Sequence, residues 1–123
     1  MFLSEILRME TPGQDCNIGD VLGCYNDTVR GLVLPHFQPQ THDKTTHEVC
    51  AEACSKINST VAGIDGGNHC YCGTAHDLAS KVAAASKVAL EECSTMACRG
   101  DRRETTNCGG ENRLIAFKFH CVA

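Results

Sequence analysis

The sequence predicts a small disulfide-rich α+β domain in which an antiparallel sheet is crossed by a short helix. The chain has 123 residues, and ten of them are cysteines. Cys50 and Cys54 are four residues apart in a helix-like stretch, and Cys70 and Cys72 are two apart in a strand-like stretch. Residues i and i+4 share one face of a helix, and residues i and i+2 share one face of a strand. Two parallel disulfides could therefore join these two elements.

The cysteine content also indicates the cellular compartment. Ten cysteines in 123 residues is about 8%, the level found in disulfide scaffolds. Disulfides persist where the reducing systems of the cytosol are absent. Two N-glycosylation sequons, at Asn26 and Asn58, point to the same compartment. We therefore expect an extracellular or cell-surface protein.

Structural zinc is the alternative use of the cysteines. Cys-x-x-x-Cys, Cys-x-Cys and six histidines are potential ligands. No Cys-x-x-Cys knuckle occurs, however, and the other six cysteines are spread singly along the chain. The sequence predicts no metal site and no cofactor.

Charge and hydropathy exclude two classes of partner. The formal net charge of -4 argues against a phosphate-binding surface, so nucleic acid is not an expected partner. No run approaches the roughly 18 to 20 apolar residues of a membrane span. Charged residues at Glu5, Arg8 and Glu10 interrupt the N-terminal stretch, which is unlike a signal peptide. For a secreted chain we therefore expect the natural start to lie upstream.

We interpret residues 1–15 as an N-terminal arm and residues 16–123 as a single domain, because a chain of this length has no room for a second core. The arm has Phe2, Leu3, Ile6 and Leu7 at helical spacing. It is either a frayed tail or an apolar arm that docks on a neighbouring domain or subunit.

Local signals place the elements of the domain. A strand is predicted over 21–25, and a hairpin over 61–64 and 69–73, with its turn at Asp65-Gly66-Gly67. Thr45-x-x-Glu48 predicts a capping box before a helix over 49–57, with positions 49, 50, 53, 54 and 57 buried. A helical turn or more is expected within 78–92, and a last strand over 113–119.

The order of these motifs resembles the WSC domain, a cysteine-rich module named for fungal cell-wall stress sensors. The resemblance covers about residues 20 to 119. The matching pieces are Gly23-Cys24-Tyr25-x-Asp27, Cys50-x-x-x-Cys54, Cys70-Tyr71-Cys72-Gly73, Lys87-Val88 leading to Glu92-Cys93, Met96-Ala97-Cys98 and Cys108-Gly109-Gly110-x-x-Arg113-Leu114. The resemblance implies a compact WSC/PAN-like α+β fold and a role in binding polysaccharide such as glucan or xylan.

The resemblance also implies a disulfide pairing for eight of the cysteines. Carried onto this chain, the family pairing joins Cys24 to Cys93, Cys50 to Cys70, Cys54 to Cys72 and Cys98 to Cys108. Cys16 and Cys121 lie outside the family pattern. They are expected to pair with each other, and the alternative is that each bonds a neighbouring chain.

The chemistry expected for glycan binding is only partly visible in the sequence. Sugars stack on flat aromatic faces, but the chain has no Trp, and Tyr25 and Tyr71 lie beside cysteines, where packing against the disulfides is the alternative role. Polar residues near turns are better supplied, although turn and cap roles are their alternative. The candidate glycan-binding residues are Asp27, Asn68, His69, Asn112 and Arg113.

The last strand suggests a second function. Leu114 and Ala116 alternate with Ile115, Phe117 and Phe119, so both faces are apolar. Either a partner covers one face, or the N-terminal arm or the 78–92 segment does. Self-association through residues 1–13 and the 113–119 strand would fit a structural subunit or repeat module of an extracellular glycoprotein fibril or matrix.

No catalytic residues are predicted. The sequence has no nucleophile elbow, His-Glu-x-x-His motif, phosphate-binding glycine loop or redox Cys-x-x-Cys pair. The leading hypothesis is a secreted, non-catalytic module that binds polysaccharide or attaches to a cell-surface or cell-wall glycan.

Overall fold

The computed structural model of the protein describes residues 15–122. Its centre is a six-stranded sheet in which every neighbouring pair of strands is antiparallel. The strands are β1 (Cys16–Asn26), β2 (His36–Phe37), β3 (Val61–Asp65), β4 (His69–Gly73), β5 (Lys87–Val88) and β6 (Arg113–Cys121). Their order in the sheet is β2-β4-β3-β6-β1-β5.

Short helices connect and cover the strands. They are α1 (His47–Lys56), α2 (Ala75–Leu78), α3 (Lys81–Ser86) and 3-10 helices at Pro39–Lys44 and Leu90–Cys93. Buried residues of α1 pack on Ile64 of β3 and on Ile115 and Phe117 of β6, so α1 crosses one face of the sheet. The predicted fold class is confirmed. No helix among residues 15–122 has both the length and the apolar character needed to cross a bilayer.

All ten cysteines form disulfides. The pairs are Cys16–Cys121, Cys24–Cys93, Cys50–Cys70, Cys54–Cys72 and Cys98–Cys108. Four of them are the pairs that the family resemblance implied. The fifth closes one end of the β1–β6 ladder within the chain, where Cys16 lies opposite Cys121. Neither of these two cysteines is left to bond a neighbouring chain.

The start and end of α1 differ from the prediction. Thr46 is the N-cap, and its hydroxyl accepts a hydrogen bond from the Val49 backbone N–H at 3.0 Å. The predicted capping box at Thr45 was wrong, because the preceding 3-10 helix buries Thr45 and its hydroxyl donates to the Thr41 carbonyl at 2.6 Å. The helix ends at Lys56, so Ile57 is 44% exposed rather than buried.

The hairpin of β3 and β4 forms as the sequence predicts. Asp65 lies opposite His69 at the turn. Gly66 and Gly67 have φ angles of 60° and 82°, a region that residues with a Cβ rarely adopt. The Asp-Gly-Gly run is therefore what allows β4 to return along β3.

Both faces of β6 are covered within the chain. Ile115 and Phe117 pack under α1, whereas Leu114 and Ala116 pack on the opposite face. That opposite face is covered by Val33, Leu34 and Ala83, among others, so part of the 78–92 segment does cover it. Beyond Ser86, however, the segment leaves the helix and forms β5.

The 113–119 strand is not a free surface for self-association. It lies inside the sheet between β3 and β1, so both of its edges are hydrogen-bonded. Residues 114 to 117 are buried on both faces by the chain itself. The prediction of self-association through this strand was therefore wrong. The other predicted surface, residues 1–13, lies outside the described residues.

The helix–strand bridges should carry much of the stability. We expect the double variant Cys54→Ala/Cys72→Ala, which leaves no free thiol, to lose roughly 2 to 5 kcal/mol of unfolding free energy. The physical reason is that an 18-residue loop is no longer closed in the unfolded chain. Urea denaturation of the variant and the wild type measures the difference, and an unchanged midpoint would contradict it.

The glycine of the Cys-Gly-Gly motif that faces Glu92 should resist substitution. A Cβ on Gly110 would clash with the Thr95 hydroxyl and lie 2.8 Å from the backbone oxygen of Glu92. We expect Gly110→Ala to cost about 1 to 3 kcal/mol of unfolding free energy through overpacking.

Gly19→Ala in β1 is the matched control, because its Cβ would meet nothing closer than 3.4 Å. It should change the unfolding free energy by less than about 1 kcal/mol. Equal melting temperatures for the two variants would contradict the expected destabilisation by a Cβ at position 110.

Candidate functional site

A group of rings, partly exposed, lies at the β2 edge of the sheet, on the face opposite α1. We call it the aromatic patch and define it as Phe37, His42, His69 and Tyr71. Phe37 lies directly opposite Tyr71 in the β2–β4 pair, with ring centroids 5.1 Å apart and a tilt of 38°. Tyr71 is buried beneath, whereas Phe37 is 44% exposed. The patch therefore presents Phe37 to solvent on a fixed aromatic base.

Two histidines extend the patch. The ring centroid of His69, two residues before Tyr71 on β4, lies 6.0 Å from that of Phe37. His42, from the 3-10 helix, meets His69 edge-on at 5.8 Å. The Asn68 Nδ2 atom lies 3.3 Å from His42 Nε2. The Asp-Gly-Gly hairpin and the short 3-10 helix thus bring together residues that are distant in the sequence.

Two side-chain amides lie on the segment that follows β2. Gln40 Nε2 donates a hydrogen bond to Gln38 Oε1 at 2.9 Å, and Gln38 Nε2 lies 3.4 Å from the His36 carbonyl oxygen. Amides both donate and accept hydrogen bonds, which is the capacity needed to pair with neighbouring hydroxyl groups. The segment from β2 to the 3-10 helix therefore carries hydrogen-bonding amides in addition to the Phe37 ring.

Two carboxyl groups are buried next to the patch. Asp27 and Asp65 are each 1% exposed, and their carboxyl groups lie close enough to interact. Burial, then the hydrogen bond and charge of Asp65, raise the pKa of Asp27 to about 8, with Arg30 opposing. Burial, followed by the charges of the same two acids, raises the pKa of Tyr71 to about 12. The buried acids and Tyr71 therefore form one electrostatic unit.

The candidate glycan-binding residues separate into three groups. Asn68 and His69 come together at the patch. Asp27 is buried, so its side chain does not reach a ligand at the surface. Asn112 lies at the turn before β6, and Arg113 begins β6, where its Nε contacts Glu92 Oε1 at 2.7 Å. The burial of Asp27 argues against a direct contact with a glycan, and Arg113 is engaged in an ion pair.

Sequence reasoning missed Phe37 and His42. From the sequence, only Tyr25 and Tyr71 were considered as aromatic platforms. The available signal was a single aromatic residue between two polar ones in a short Pro-flanked stretch, which is typical of an edge strand. That signal is weak in sequence, because two residues of strand are too few for a periodicity.

Metal-ligand residues cluster at two places in the described part of the chain. These are His47 with Cys98 and Cys108, and Cys50 with Cys54 and Cys70. Every cysteine in both clusters is in a disulfide, so its sulfur is not a thiolate ligand. The His47 ring lies 2.7 Å from the Asn107 carbonyl oxygen and stacks on Phe117. Neither cluster supplies free cysteine ligands.

A shallow groove of about 330 Å³ lies between the start of α1 and the 100–106 loop. Asp101 organises that loop, since its carboxylate accepts hydrogen bonds from the backbone N–H groups of Arg103, Thr105 and Thr106. The bond from Arg103 is the largest cause of the lowered pKa of Asp101. The polar contacts at this groove stabilise the loop itself. The aromatic patch is therefore the stronger candidate site.

Comparisons with known proteins agree with this architecture. The family model described as "WSC domain" matches residues 21–110, which is more than half of the chain. "Xylosyltransferase sqv-6" of Caenorhabditis briggsae is 32% identical over 108 residues, covering 85% of this chain and 12% of that protein. "Kremen protein 1" of Xenopus laevis is 28% identical over 102 residues, covering 83% of this chain and 21% of that protein.

A fungal relative shows the same partial match. "WSC domain-containing protein" of Arthroderma benhamiae is 30% identical over 95 residues, covering 77% of this chain and 9% of that protein. The chain thus spans a small fraction of each of these three relatives, and what they share with it is one module. With the family model matching from β1 to the turn before β6, the chain belongs to the WSC domain family.

Proposed function

We propose that this chain is a secreted or cell-surface, non-catalytic module that binds polysaccharide or a glycoprotein glycan through the aromatic patch. The single observation that carries the proposal is the exposed Phe37 ring, supported by Tyr71 and flanked by His69. A pyranose ring has an apolar face that packs on an aromatic side chain. Its hydroxyl groups pair with the amide of Asn68, which lies beside His42 at the patch.

The rigidity of the patch supports a binding role. Tyr71 lies between Cys70 and Cys72, and both of these are bonded to α1. Phe37 is then held by backbone pairing to the same strand. A surface fixed before the ligand arrives loses little conformational entropy on binding. That matters for a sugar, whose individual contacts are small.

The placement of the acids supports a non-catalytic role. Glycoside hydrolysis requires two carboxyl groups that flank the scissile bond about 5 to 9.5 Å apart. Asp27 and Asp65 are instead adjacent to each other and buried. In this proposal they belong to the scaffold beneath the patch, and no bond of the glycan is broken.

An extracellular or cell-surface location is supported by two features. Five disulfides need an oxidising compartment to form and persist. The sequon residues Asn26 and Asn58 are both exposed, as an attached glycan requires. Asn26 also has its side-chain oxygen turned toward the backbone N–H and hydroxyl of Thr28.

Removing the exposed ring should weaken glycan binding. We expect Phe37→Ala to lower the affinity for the bound polysaccharide roughly two- to tenfold, which corresponds to about 0.5 to 1.5 kcal/mol of lost aromatic contact. Co-sedimentation with insoluble glucan, xylan, chitin and cellulose identifies the polysaccharide and measures the binding isotherm.

Val82→Ala is the matched control. Val82 is 44% exposed, like Phe37, but lies on α3, which packs near the opposite edge of the sheet. It should bind as the wild type does. The proposal fails if the wild type stays in the supernatant with every polysaccharide, or if Phe37→Ala and Val82→Ala bind equally.

Both sequons should carry glycans when the chain is secreted from eukaryotic cells. Asn26→Gln and Asn58→Gln should each remove the mass of one glycan, because each asparagine is exposed. Intact mass before and after enzymatic glycan removal measures the occupancy. A secreted wild type with the mass of the bare polypeptide would contradict this expectation.

A further inference from the structure

Asp27 and Asp65 reach the same buried position from different elements. Asp65 ends β3, opposite both His69 of β4 and Leu114 of β6. Asp27 follows β1, and its backbone N–H donates to the Asn112 carbonyl at 2.9 Å. The sheet therefore holds the two carboxyl groups together, at a place where each is 1% exposed.

Two negative charges at this position would have no adequate compensation. Like charges in contact are repelled strongly where water is excluded. Arg30 is the nearby cation that opposes the shift, but it is exposed and joins neither carboxylate in an ion pair within the described chain. The pKa of Asp27, raised to about 8 chiefly by burial, agrees with a protonated group near neutral pH.

The unpaired atoms around the two acids fit one extra proton. Asp27 Oδ2 and Asp65 Oδ2 are buried without a hydrogen-bond partner when both groups are ionised acceptors. A single proton converts one carboxylate into a donor, so that the two groups satisfy each other. With the proton, the pair carries one negative charge and one hydrogen bond. Without it, the pair carries two negative charges and no hydrogen bond.

The shared charge lies against the patch. Asp65 Oδ1 is 3.1 Å from His69 Nδ1, but the ring is not aligned for a hydrogen bond, and Nδ1 has no other partner among the described residues. The side chain of His69 is still 21% exposed. Its ring therefore touches the buried acids on one side and the ligand-facing surface on the other.

We propose that Asp27 and Asp65 share one proton across a carboxyl–carboxylate hydrogen bond, and that this proton positions the His69 ring on the aromatic patch. While the proton is present, one negative charge faces His69 Nδ1. When it leaves, the second charge acts on the groups that surround the pair, which are His69 and Tyr71 on β4 and Arg30 on the loop after β1. Asp27 is thus a positioning residue that acts on His69 through Asp65.

The consequence for stability has a definite sign. The native state keeps a proton on Asp27 up to about pH 8, whereas the unfolded chain releases it near the ordinary value of 3.8. This pair should therefore make a contribution to the free energy of unfolding that falls as pH rises from about 4 to about 8. Asp27→Asn, which cannot lose a proton, should lack this fall.

Asp20→Asn is the matched control, because Asp20 is an exposed acid on β1. Thermal unfolding at intervals between pH 4.5 and 9 should show the wild type and Asp20→Asn losing stability in parallel, while Asp27→Asn changes less. If all three change in parallel, the proposal is overturned.

Carbon-detected NMR of the wild type tests the proton directly and needs no variant. The side-chain carboxyl carbons of Asp27 and Asp65 should both shift in one step near pH 8, and the His69 ring signals should shift in the same step. The proposal is overturned if every aspartate has finished titrating below pH 6, or if only one of the two carboxyl carbons moves near pH 8. A calcium-dependent rise in melting temperature, reversed by chelator, would overturn it as well, because a cation would then be what joins the acids.

The expected effect on glycan binding rests on the proposed function. The shared proton itself does not depend on that function. If the domain binds a polysaccharide, the affinity of the wild type should change across the same step while that of Asp27→Asn stays constant. If no polysaccharide binds at any pH but the carboxyl step is present, the proposed function fails and the shared proton stands. If the carboxyl step is absent while a polysaccharide binds, the shared proton fails and the proposed function stands.

Discussion

The two disulfides between α1 and β4 are the constraint on which the rest of the structure depends. Cys50–Cys70 and Cys54–Cys72 hold one face of the helix against alternate residues of one strand. Cys70 and Cys72 therefore lie on the face of β4 that packs against α1. Tyr71 and His69 alternate with them and lie on the opposite face. The aromatic patch lies on the face opposite α1 because the two disulfides occupy the face that packs against α1.

The sheet thus separates two kinds of core. Under α1 most of the buried residues are cysteines, with Ile64, Ile115 and Phe117 packed among the disulfides. On the other face the core is built from Tyr25, Tyr71 and aliphatic side chains of the 33–34 loop and β6. A chain with no Trp, two Tyr and four Phe has little aromatic volume to bury, and the disulfides replace it by restricting the unfolded chain.

The family motifs and the candidate site are made of largely different residues. Gly109 and Gly110 let the chain pass against β3 and Glu92, and Arg113 forms an ion pair with that same Glu92. Asp27 of the first motif is also buried. These motif positions build the frame, whereas Phe37 and His42 come from the 36–44 segment between motifs. A frame maintained by cystines and glycines allows such a surface segment to vary, so a shared fold does not by itself specify a shared ligand.

Local sequence determined what depends on short-range geometry and covalent chemistry. The i, i+4 and i, i+2 cysteine spacings, the Asp-Gly-Gly turn and the motif order were sufficient for the fold class, the hairpin and the family, because each depends on neighbours in the chain. Tertiary structure decided the rest. Thr46 rather than Thr45 caps α1 because a 3-10 helix packs Thr45 inward. The apolar strand 113–119 is interior because β1 and β3 both pair with it. Phe37 meets Tyr71, and Asp27 meets Asp65, only because antiparallel pairing brings distant segments side by side, and no local pattern encodes which distant residue will lie opposite.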